Sequence, residues 1–423
     1  GPAVRRKDLL RTGPLPLVEC IVPIRLRNTL LAALVVAGLT GPAAAPALAQ
    51  PRSAPAEVTR QQDGGPDTTA LDRALRGLPD ETTTAALARV GGKGSWHGSS
   101  GVRDLRTGRK ALEHGRFRAG STTKVVTAAL VLKLASQGRI DLDGTVQHYL
   151  PGLLSDAFEP VTVRQLLTFT SGLKPGDGLG PVSGAGYENR FKTLTPEQVV
   201  ASSVAKGPYR GADEGPGKKQ RYANIDYTVL GLLVEKVTRD SYAHQAWLHV
   251  LRPAGMRHTS FPRGADPRIH GPHNRGYQRL DDGRLVDATE WNMSDRWAAG
   301  DMISTTADLE RLLFALFRGE IVPQPLLERE MFTVPDIDGA TMSAGLQRYD
   351  AGGGLVLWGK SGARPGYNTL LVGTRDLSRT LVYSLDSTDA KGPTMNPVGE
   401  RLLAAAFGPS AVPPSASAAR RTR

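Results

Sequence analysis

The sequence predicts an α/β fold, in which an antiparallel sheet flanked by helices forms an α/β sandwich beside an all-helical region. Two observations indicate this arrangement. Strand-like runs separated by glycine occur over residues 83–112 and again from Leu355 onward. Between them, from Ser121 to about Glu330, the apolar spacing is mainly helical and is interrupted by loops rich in glycine and proline. Strands at both ends with helices between them predict one sheet assembled from the two ends of the chain.

Residues 1–49 contain some upstream residues followed by the pattern of a secretory signal peptide. Arg25 and Arg27 precede an apolar run from Thr29 to Thr40, and the small residues Ala47 and Ala49 resemble a cleavage site. The run is shorter than the roughly 18 apolar residues that a membrane-spanning helix needs. We therefore expect a secreted or extracytoplasmic protein, with no stable membrane span in its mature form.

Composition divides the remaining chain into three parts. Residues 50–66 are polar with proline and glycine, which is typical of a flexible lead-in. We predict one folded domain over residues 67–408 and a disordered tail over residues 409–423.

Cysteine usage and charge exclude several kinds of function. The single cysteine, Cys20, lies within the predicted signal segment, so the mature chain would have neither a disulfide nor a cysteine metal site. The formal net charge is +12, and the basic residues are scattered without a pattern of interleaved aromatic residues. This distribution predicts no nucleic-acid partner.

Three Ser-x-x-Lys pairs occur in the sequence. A helix places both side chains of such a pair on one face, and a desolvated or cation-crowded lysine can accept the serine proton. The pairs are Ser121/Lys124, Ser171/Lys174 and Ser203/Lys206. The second and third run into Pro-Gly and Gly-Pro, which end a helix, whereas helix-forming residues follow the first. By itself, Ser121 remains open to a second interpretation as an ordinary helix-start residue.

Two further elements favour a reactive serine. Tyr222 and Asn224 precede an apolar helical run, so that a phenol and an amide can project into one cleft; a buried loop tyrosine is the alternative. Lys360 and Gly362 follow a strand-like run that precedes a Pro-Gly turn. The lysine could hold a substrate carboxylate or lower a neighbouring pKa, and the glycine would let substrate lie against the strand; an exposed edge-strand lysine is the alternative.

These elements resemble those of the serine β-lactamase and penicillin-binding protein superfamily. The branch that the sequence resembles holds class C β-lactamases, secreted D-alanyl-D-alanine carboxypeptidases and related esterases, and the actinomycete carboxypeptidases are the most similar. The resemblance extends from about Thr69 to Gly408. It rests on FRAGSTTK, GRIDLDGTVQHYLPGL, VTVRQLLTFTSGL, RYANIDYTVLGLLVEKVT, LRPAGMRHTSF, AAGDMISTTADL and GKSGARPGY.

The resemblance implies a β-lactamase/transpeptidase-like catalytic domain with its site between the sandwich and the helical region. Ser121 would be acylated, and Lys124 and Tyr222 would share its proton and later activate the incoming water or amine. Asn224 would bind the substrate amide and steady Lys124, while Lys360 would act electrostatically. The backbone N–H groups of Ser121 and Ala363 would form the oxyanion hole, and the substrate would contact Ser361, Gly362, Arg364, Trp297 and Gln347.

The sequence departs from the carboxypeptidase pattern at three places. Lys-Ser-Gly stands where the secreted carboxypeptidases usually have His-Thr-Gly. The arginine that commonly holds the terminal carboxylate is replaced by Gln347, and Arg348 would lie on the opposite strand face. Arg364 is a candidate replacement for that clamp. Phe169 stands where many relatives have histidine, which we interpret as a packing difference.

The resulting prediction is an exported serine acyl-enzyme catalyst, resembling D-alanyl-D-alanine carboxypeptidases, that hydrolyses amide or ester bonds. The main alternative is a transacylase or esterase that passes the acyl group to an amine or alcohol; a β-lactamase and a non-catalytic penicillin-binding sensor are weaker alternatives. We expect a small peptide, amide or ester substrate, in some cases an amine acceptor, and covalent inhibition by β-lactams. We expect no cofactor. We also expect no metal, because His270 and His273 form an H-x-x-H pair without a third ligand.

Overall fold

The computed structural model describes residues 64–413. The predicted signal peptide, most of the predicted lead-in and most of the predicted tail lie outside these residues. Within them the chain forms one six-stranded sheet and two small two-stranded sheets.

The strands are short in the middle of the chain and long at its two ends. They are β1 (Thr83–Gly92), β2 (Trp96–Gly101), β3 (Phe117–Arg118), β4 (Tyr277–Arg279), β5 (Leu285–Asp287), β6 (Ile303–Ser304), β7 (Gln347–Asp350), β8 (Val356–Arg364), β9 (Tyr367–Thr374) and β10 (Arg379–Ser387).

Most helices lie between the two groups of long strands. They are α1 (Thr68–Ala74), α2 (Thr123–Ser136), α3 (Val146–Tyr149), α4 (Val163–Leu167), α5 (Ala185–Glu188), α6 (Pro196–Ala205), α7 (Asn224–Thr238), α8 (Tyr242–Ala246), α9 (Thr306–Phe317), α10 (Gln324–Met331) and α11 (Pro397–Phe407). Between residues 64 and 413, no helix has both the length and the apolar character needed to cross a membrane.

The large sheet joins the two ends of the described chain. Its strand order is β2-β1-β10-β9-β8-β7, and every neighbouring pair is antiparallel. The N-terminal strand β1 pairs with β10, the last strand of the sheet in chain order. The predicted antiparallel sheet with flanking helices and a helical region is therefore confirmed.

Alternating residues of the sheet point to two separate cores. Ala86 and Ala88 of β1 belong to a cluster that also contains buried residues of α1 and α11, while Leu87 belongs to the larger core of the helical region. Val382 of β10 joins the same core as Leu87. Successive strand residues face opposite sides, so both faces of this sheet are buried and helices cover each of them.

Helix α2 is the centre of the helical region. Eleven of its fourteen residues are buried, including Thr123 and Lys124 at its start. It packs against α7 and against the 3₁₀ turn Trp297–Ala299. Because α2 is enclosed on nearly every side, the side chains of its first turn are held by neighbours rather than by solvent.

Gly231 in the middle of α7 gives room to the indole of Trp297. A Cβ atom at position 231 would lie 2.6 Å from Trp297 Cζ3 and 2.7 Å from Ala298 Cβ. The same indole packs edge-on against Tyr242, with ring centroids 5.4 Å apart. The close fit fixes the turn at residues 297–299 against α7.

Gly231→Ala tests this fit. In an open helix, alanine is about 1 kcal/mol more favourable than glycine, but here we expect a net loss of roughly 1–3 kcal/mol in the free energy of unfolding because of overpacking. Urea unfolding of Gly231→Ala alone and combined with Trp297→Leu measures the effect. The loss caused by alanine should shrink in the Trp297→Leu background. Stabilisation by the single change would contradict the proposed contact.

Candidate active site

Ser121 lies in the tight turn that leads into α2. The turn is a 3₁₀ helix, Gly120–Thr122, and Gly120 has a φ of +57°, a conformation that favours glycine. Ala119 N–H donates to Met302 O at 2.8 Å, and Thr123 Oγ1 donates to Gly120 O at 2.6 Å. Ser121 is partly exposed while the next three residues are buried, so the fold presents this hydroxyl at a surface on a rigid support.

Lys124 is fully buried beneath this serine and its ammonium group reaches three acceptors. Its Nζ atom lies 2.9 Å from Ser121 Oγ, 2.6 Å from Asn224 Oδ1 and 2.8 Å from the carbonyl oxygen of Ala299. Neither the 3₁₀ turn nor α2 has a side-chain N-cap hydrogen bond. The Ser121 hydroxyl thus contacts Lys124 and does not cap either helix.

Tyr222 lies close to two lysines. The centroid of its ring is 4.8 Å from Lys124 Nζ and 4.8 Å from Lys360 Nζ. Phe169 packs on the same ring at a centroid distance of 4.6 Å and stacks on Tyr227 as well. The aromatic residue that replaces histidine in the sequence pattern therefore supports the phenol, in line with the packing interpretation.

The strand β8 and the serine turn touch backbone to backbone. A Cβ atom at Gly362 would lie 2.2 Å from Ala119 O and 2.9 Å from Ser121 N, and one at Gly120 would lie 2.7 Å from Ala363 N. These contacts bring the backbone N–H groups of Ser121 and Ala363 into one region, as an oxyanion hole requires. Lys360 on the same strand is buried, and its Nζ atom donates to Ser361 O at 2.9 Å; the Ser361 side chain is exposed.

The other two Ser-x-x-Lys pairs have different contacts. Ser171 Oγ donates to Asp226 Oδ1 at 2.7 Å, and Lys174 Nζ donates to Lys206 O at 3.1 Å. Ser203 Oγ donates to Lys174 O, and Lys206 forms an ion pair with Asp177 at 2.8 Å. Each of these serines donates to an oxygen atom outside its own pair.

Three residues predicted to bind substrate have environments that the sequence did not indicate. The Trp297 indole packs against α7 and remains partly exposed. Gln347 lies opposite Gly359 in the sheet and its Nε2 atom is 3.4 Å from Thr341 Oγ1. Arg364 is buried and forms an ion pair with Asp295, with Nη2 and Oδ1 3.1 Å apart. The Arg364 guanidinium, which the sequence suggested as a carboxylate clamp, is therefore already paired with Asp295.

Sequence reasoning missed two buried acids near these groups. Burial raises the pKa of Asp226 well above its usual value, although the Ser171 hydroxyl and the Lys124 charge act in the opposite direction. Burial alone would raise the pKa of Asp295 too, but the Arg364 and Arg296 guanidinium groups together hold it below its usual value. Asp226 lies within RYANIDYTVLGLLVEKVT and Asp295 lies outside the quoted stretches, and no local pattern marked either acid as buried beside the site.

No group of three or more histidine, cysteine, aspartate or glutamate residues that could hold a metal ion occurs within residues 64–413. His270 Nε2 lies 2.6 Å from Asp266 Oδ2, and His273 Nδ1 lies 2.8 Å from Gly271 O. The two histidines of the H-x-x-H pair thus contact different groups.

The chain is similar to several characterised structures. A D-stereospecific amidohydrolase from Streptomyces sp. is 29% identical with a TM-score of 0.70, and the match covers 81% of this chain and 99% of that one. A D-amino acid amidase from Ochrobactrum anthropi SV3, complexed with L-phenylalanine amide, is 25% identical with a TM-score of 0.66. That match covers 80% of this chain and 97% of the amidase.

Curated relatives match a smaller part of the chain. Protein flp of Staphylococcus aureus (strain MW2) is 29% identical over 213 residues, which are 50% of this chain and 40% of that protein. The putative penicillin-binding protein PbpX of Bacillus subtilis (strain 168) is 26% identical over 254 residues, which are 60% of this chain and 58% of PbpX. The match thus spans less than two thirds of either relative.

The family comparison covers most of the chain. The family model described as Beta-lactamase matches residues 71–404, a range that includes the Ser121 turn, α7 and β8. The solved structures above share the same overall fold. The chain therefore belongs to the Beta-lactamase family and is an enzyme of the serine hydrolase or acyltransferase type, with the β-lactamase/transpeptidase fold.

Proposed function

We propose that this protein hydrolyses amide bonds in small substrates that contain D-amino acids, by way of an acyl-enzyme on Ser121. The observation that carries the proposal is the placement of Lys124 Nζ within hydrogen-bond distance of Ser121 Oγ, Asn224 Oδ1 and Ala299 O. The similarity to a D-stereospecific amidohydrolase and a D-amino acid amidase supports the substrate class. Cleavage of D-alanyl-D-alanine peptides, the activity expected from the sequence, is one member of this class.

Acylation follows from the geometry. The ammonium form of Lys124 has three N–H donors and can donate to all three acceptors. It must therefore lose one proton and become a neutral amine before it can accept the Ser121 proton. Burial and the nearby Lys360 charge act toward the neutral amine, whereas the three acceptors act toward the ammonium. Ser121 Oγ then attacks the amide carbon while its proton passes to Lys124 Nζ. The oxyanion forms beside the N–H groups of Ser121 and Ala363, where each donor would contribute about 3–4 kcal/mol.

The intermediate collapses when the C–N bond breaks and the leaving amine takes a proton from the Lys124–Tyr222 pair. A water molecule then gives a proton to the same pair and attacks the ester carbon, which releases the acid and restores the Ser121 hydroxyl. An amine or alcohol in place of water would give a transacylase. Hydrolysis and transfer would use the same residues, so the products must distinguish them.

We also propose that the protein is exported. The signal pattern over residues 1–49 lies outside the described residues, and it supports action on substrates outside the cytoplasm.

The first test uses Ser121→Ala beside the unaltered protein. We expect the unaltered protein to form a covalent adduct with a fluorescent penicillin and to cleave a D-amino acid amide or a D-Ala-D-Ala peptide, while Ser121→Ala does neither. Mass spectrometry of the adduct and chromatography of the products, with and without an added amine, are the measurements. Absence of both adduct and turnover with every donor would refute the proposal, whereas exclusive aminolysis would favour the transacylase.

A second test concerns the proton acceptor. Lys124→Ala should slow acylation by about 10²- to 10⁴-fold, since positioned proton transfer typically supplies this much. The acylation rate is followed by fluorescent-penicillin labelling over time. Lys174→Ala, the lysine of another Ser-x-x-Lys pair, serves as the control and should leave the rate unchanged. A loss smaller than tenfold in Lys124→Ala would show that another group takes the proton.

A third test uses Lys360→His. If Lys360 acts through its charge, this variant should lose less activity than Lys124→Ala. Imidazole carries a charge only below its pKa of about 6.5, so the activity of Lys360→His relative to the unaltered protein should rise as the pH falls from about 8 to about 6. Acylation rates across this range give the measurement. A relative activity that is independent of pH would argue against an electrostatic role.

A further inference from the structure

The loop before the Trp297 turn places an acid beside the end of strand β8. Asp295 and Arg364 are both at least nine-tenths buried. The Asp295 carboxylate receives Arg364 Nη2 at 3.1 Å, and its second oxygen lies 3.4 Å from Arg296 Nη1. Arg364 Nε lies 2.8 Å from Met293 Sδ, so the guanidinium is held by two residues of the same loop.

Arg364 occupies a position from which it could affect substrate. It directly follows Ala363, whose N–H group lies beside the Ser121 turn. Residues at every second position of a strand share a face, so Arg364 is on the same face as Lys360 and Gly362. Gly362 on this face meets the backbone of Ala119 and Ser121. A guanidinium at position 364 is therefore next to the acylation site by strand geometry.

On the neighbouring strand, Gln347 stands at the position where the resembling carboxypeptidases commonly have an arginine. β7 pairs with β8 so that Gln347 is opposite Gly359, and the Gln347 amide contacts Thr341. A substrate carboxylate that approached Arg364 would have to displace a buried carboxylate. Removing one partner of a buried ion pair is strongly unfavourable, because the other charge is left uncompensated.

We propose that Asp295 determines specificity by withholding Arg364 from the substrate. Acyl donors whose leaving group has no charge, such as amides and esters, are then favoured over donors that end in a free carboxylate. This inference rests on the proposed function and narrows its substrate class. Asp295 is a positioning residue here, since it acts through the guanidinium.

The experiment compares two donors that share a scissile bond. N-acetyl-D-Ala-D-Ala ends in a carboxylate and N-acetyl-D-Ala-D-alaninamide ends in a neutral amide. The unaltered protein should have the higher kcat/KM for the neutral donor. Asp295→Asn should move the kcat/KM ratio toward the carboxylate donor by about tenfold or more, because it removes the carboxylate charge that lies 3.1 Å from Arg364 Nη2. The change should appear mainly in KM, because Arg364 would bind ground state and transition state alike.

Two double variants separate Arg364 from Arg296. Asp295→Asn with Arg364→Gln should return the ratio to within about threefold of the unaltered protein, whereas Asp295→Asn with Arg296→Gln should keep the shift. Glu330→Gln is the matched control, because Glu330 is also a buried acid and lies 3.2 Å from the Nε atoms of both Arg164 and Arg329. Its loss of an ion pair should leave the donor ratio unchanged.

Outcomes against the inference are distinct from those against the function. A ratio unchanged in Asp295→Asn, or a preference of the unaltered protein for the carboxylate donor, overturns the inference while penicillin acylation still supports the function. If Asp295→Asn does not fold, the double variant with Arg364→Gln decides, since it removes both charges. Loss of carboxylate-donor activity there would show that Arg364 binds substrate. If neither donor is cleaved, competition with fluorescent penicillin gives the ratio of the affinities for the two donors, which replaces the kcat/KM ratio. Absence of competition by both donors also counts against the inference.

Discussion

The close approach of two backbone segments is the constraint on which the active site depends. The turn at Gly120 and the strand at Gly362 meet at distances that leave no space for a Cβ atom on either residue. Gly120 also has a positive φ that other residues adopt only with strain. Because of this contact, the Ser121 hydroxyl, the two N–H groups and the Lys360 strand share one region. The sheet and the helical region are thereby joined at Ser121, the proposed nucleophile.

Lys124 connects the remaining parts. A buried ammonium is tolerated only when its donors are satisfied, and the acceptors of Lys124 come from the turn before α2, from the start of α7 and from the Trp297–Ala299 turn. Each acceptor is held in turn by packing, most visibly by the Trp297 indole in the space that Gly231 leaves open. The helical core thus sets the position of Lys124, the proposed proton acceptor. Gly231 contributes to this arrangement by leaving space for the indole.

Two buried acids that were not among the predicted site residues lie beside the site. Asp295 receives Arg364 and lies near Arg296, and Asp226 lies near Lys124 and accepts from Ser171. Asp295 lies on a loop and Asp226 lies near the start of α7. Burial gives an ion pair such as Asp295–Arg364 its weight, because the same pair in water would contribute little.

The sequence by itself determined the fold class, the antiparallel sheet built from both chain ends, and the choice of Ser121 among three Ser-x-x-Lys pairs as the predicted nucleophile. These features depend on local signals: strand and helix periodicity, helix-breaking residues after Ser171 and Ser203, and motifs at recognised spacing. Only the tertiary structure decided the environments of Trp297, Arg364 and Asp295. Which buried acid meets which arginine depends on segments about 70 residues apart that pack together, and local spacing carries no information about such a contact. The sequence therefore identified the predicted reactive groups, while the fold decided which charges remain available to a substrate.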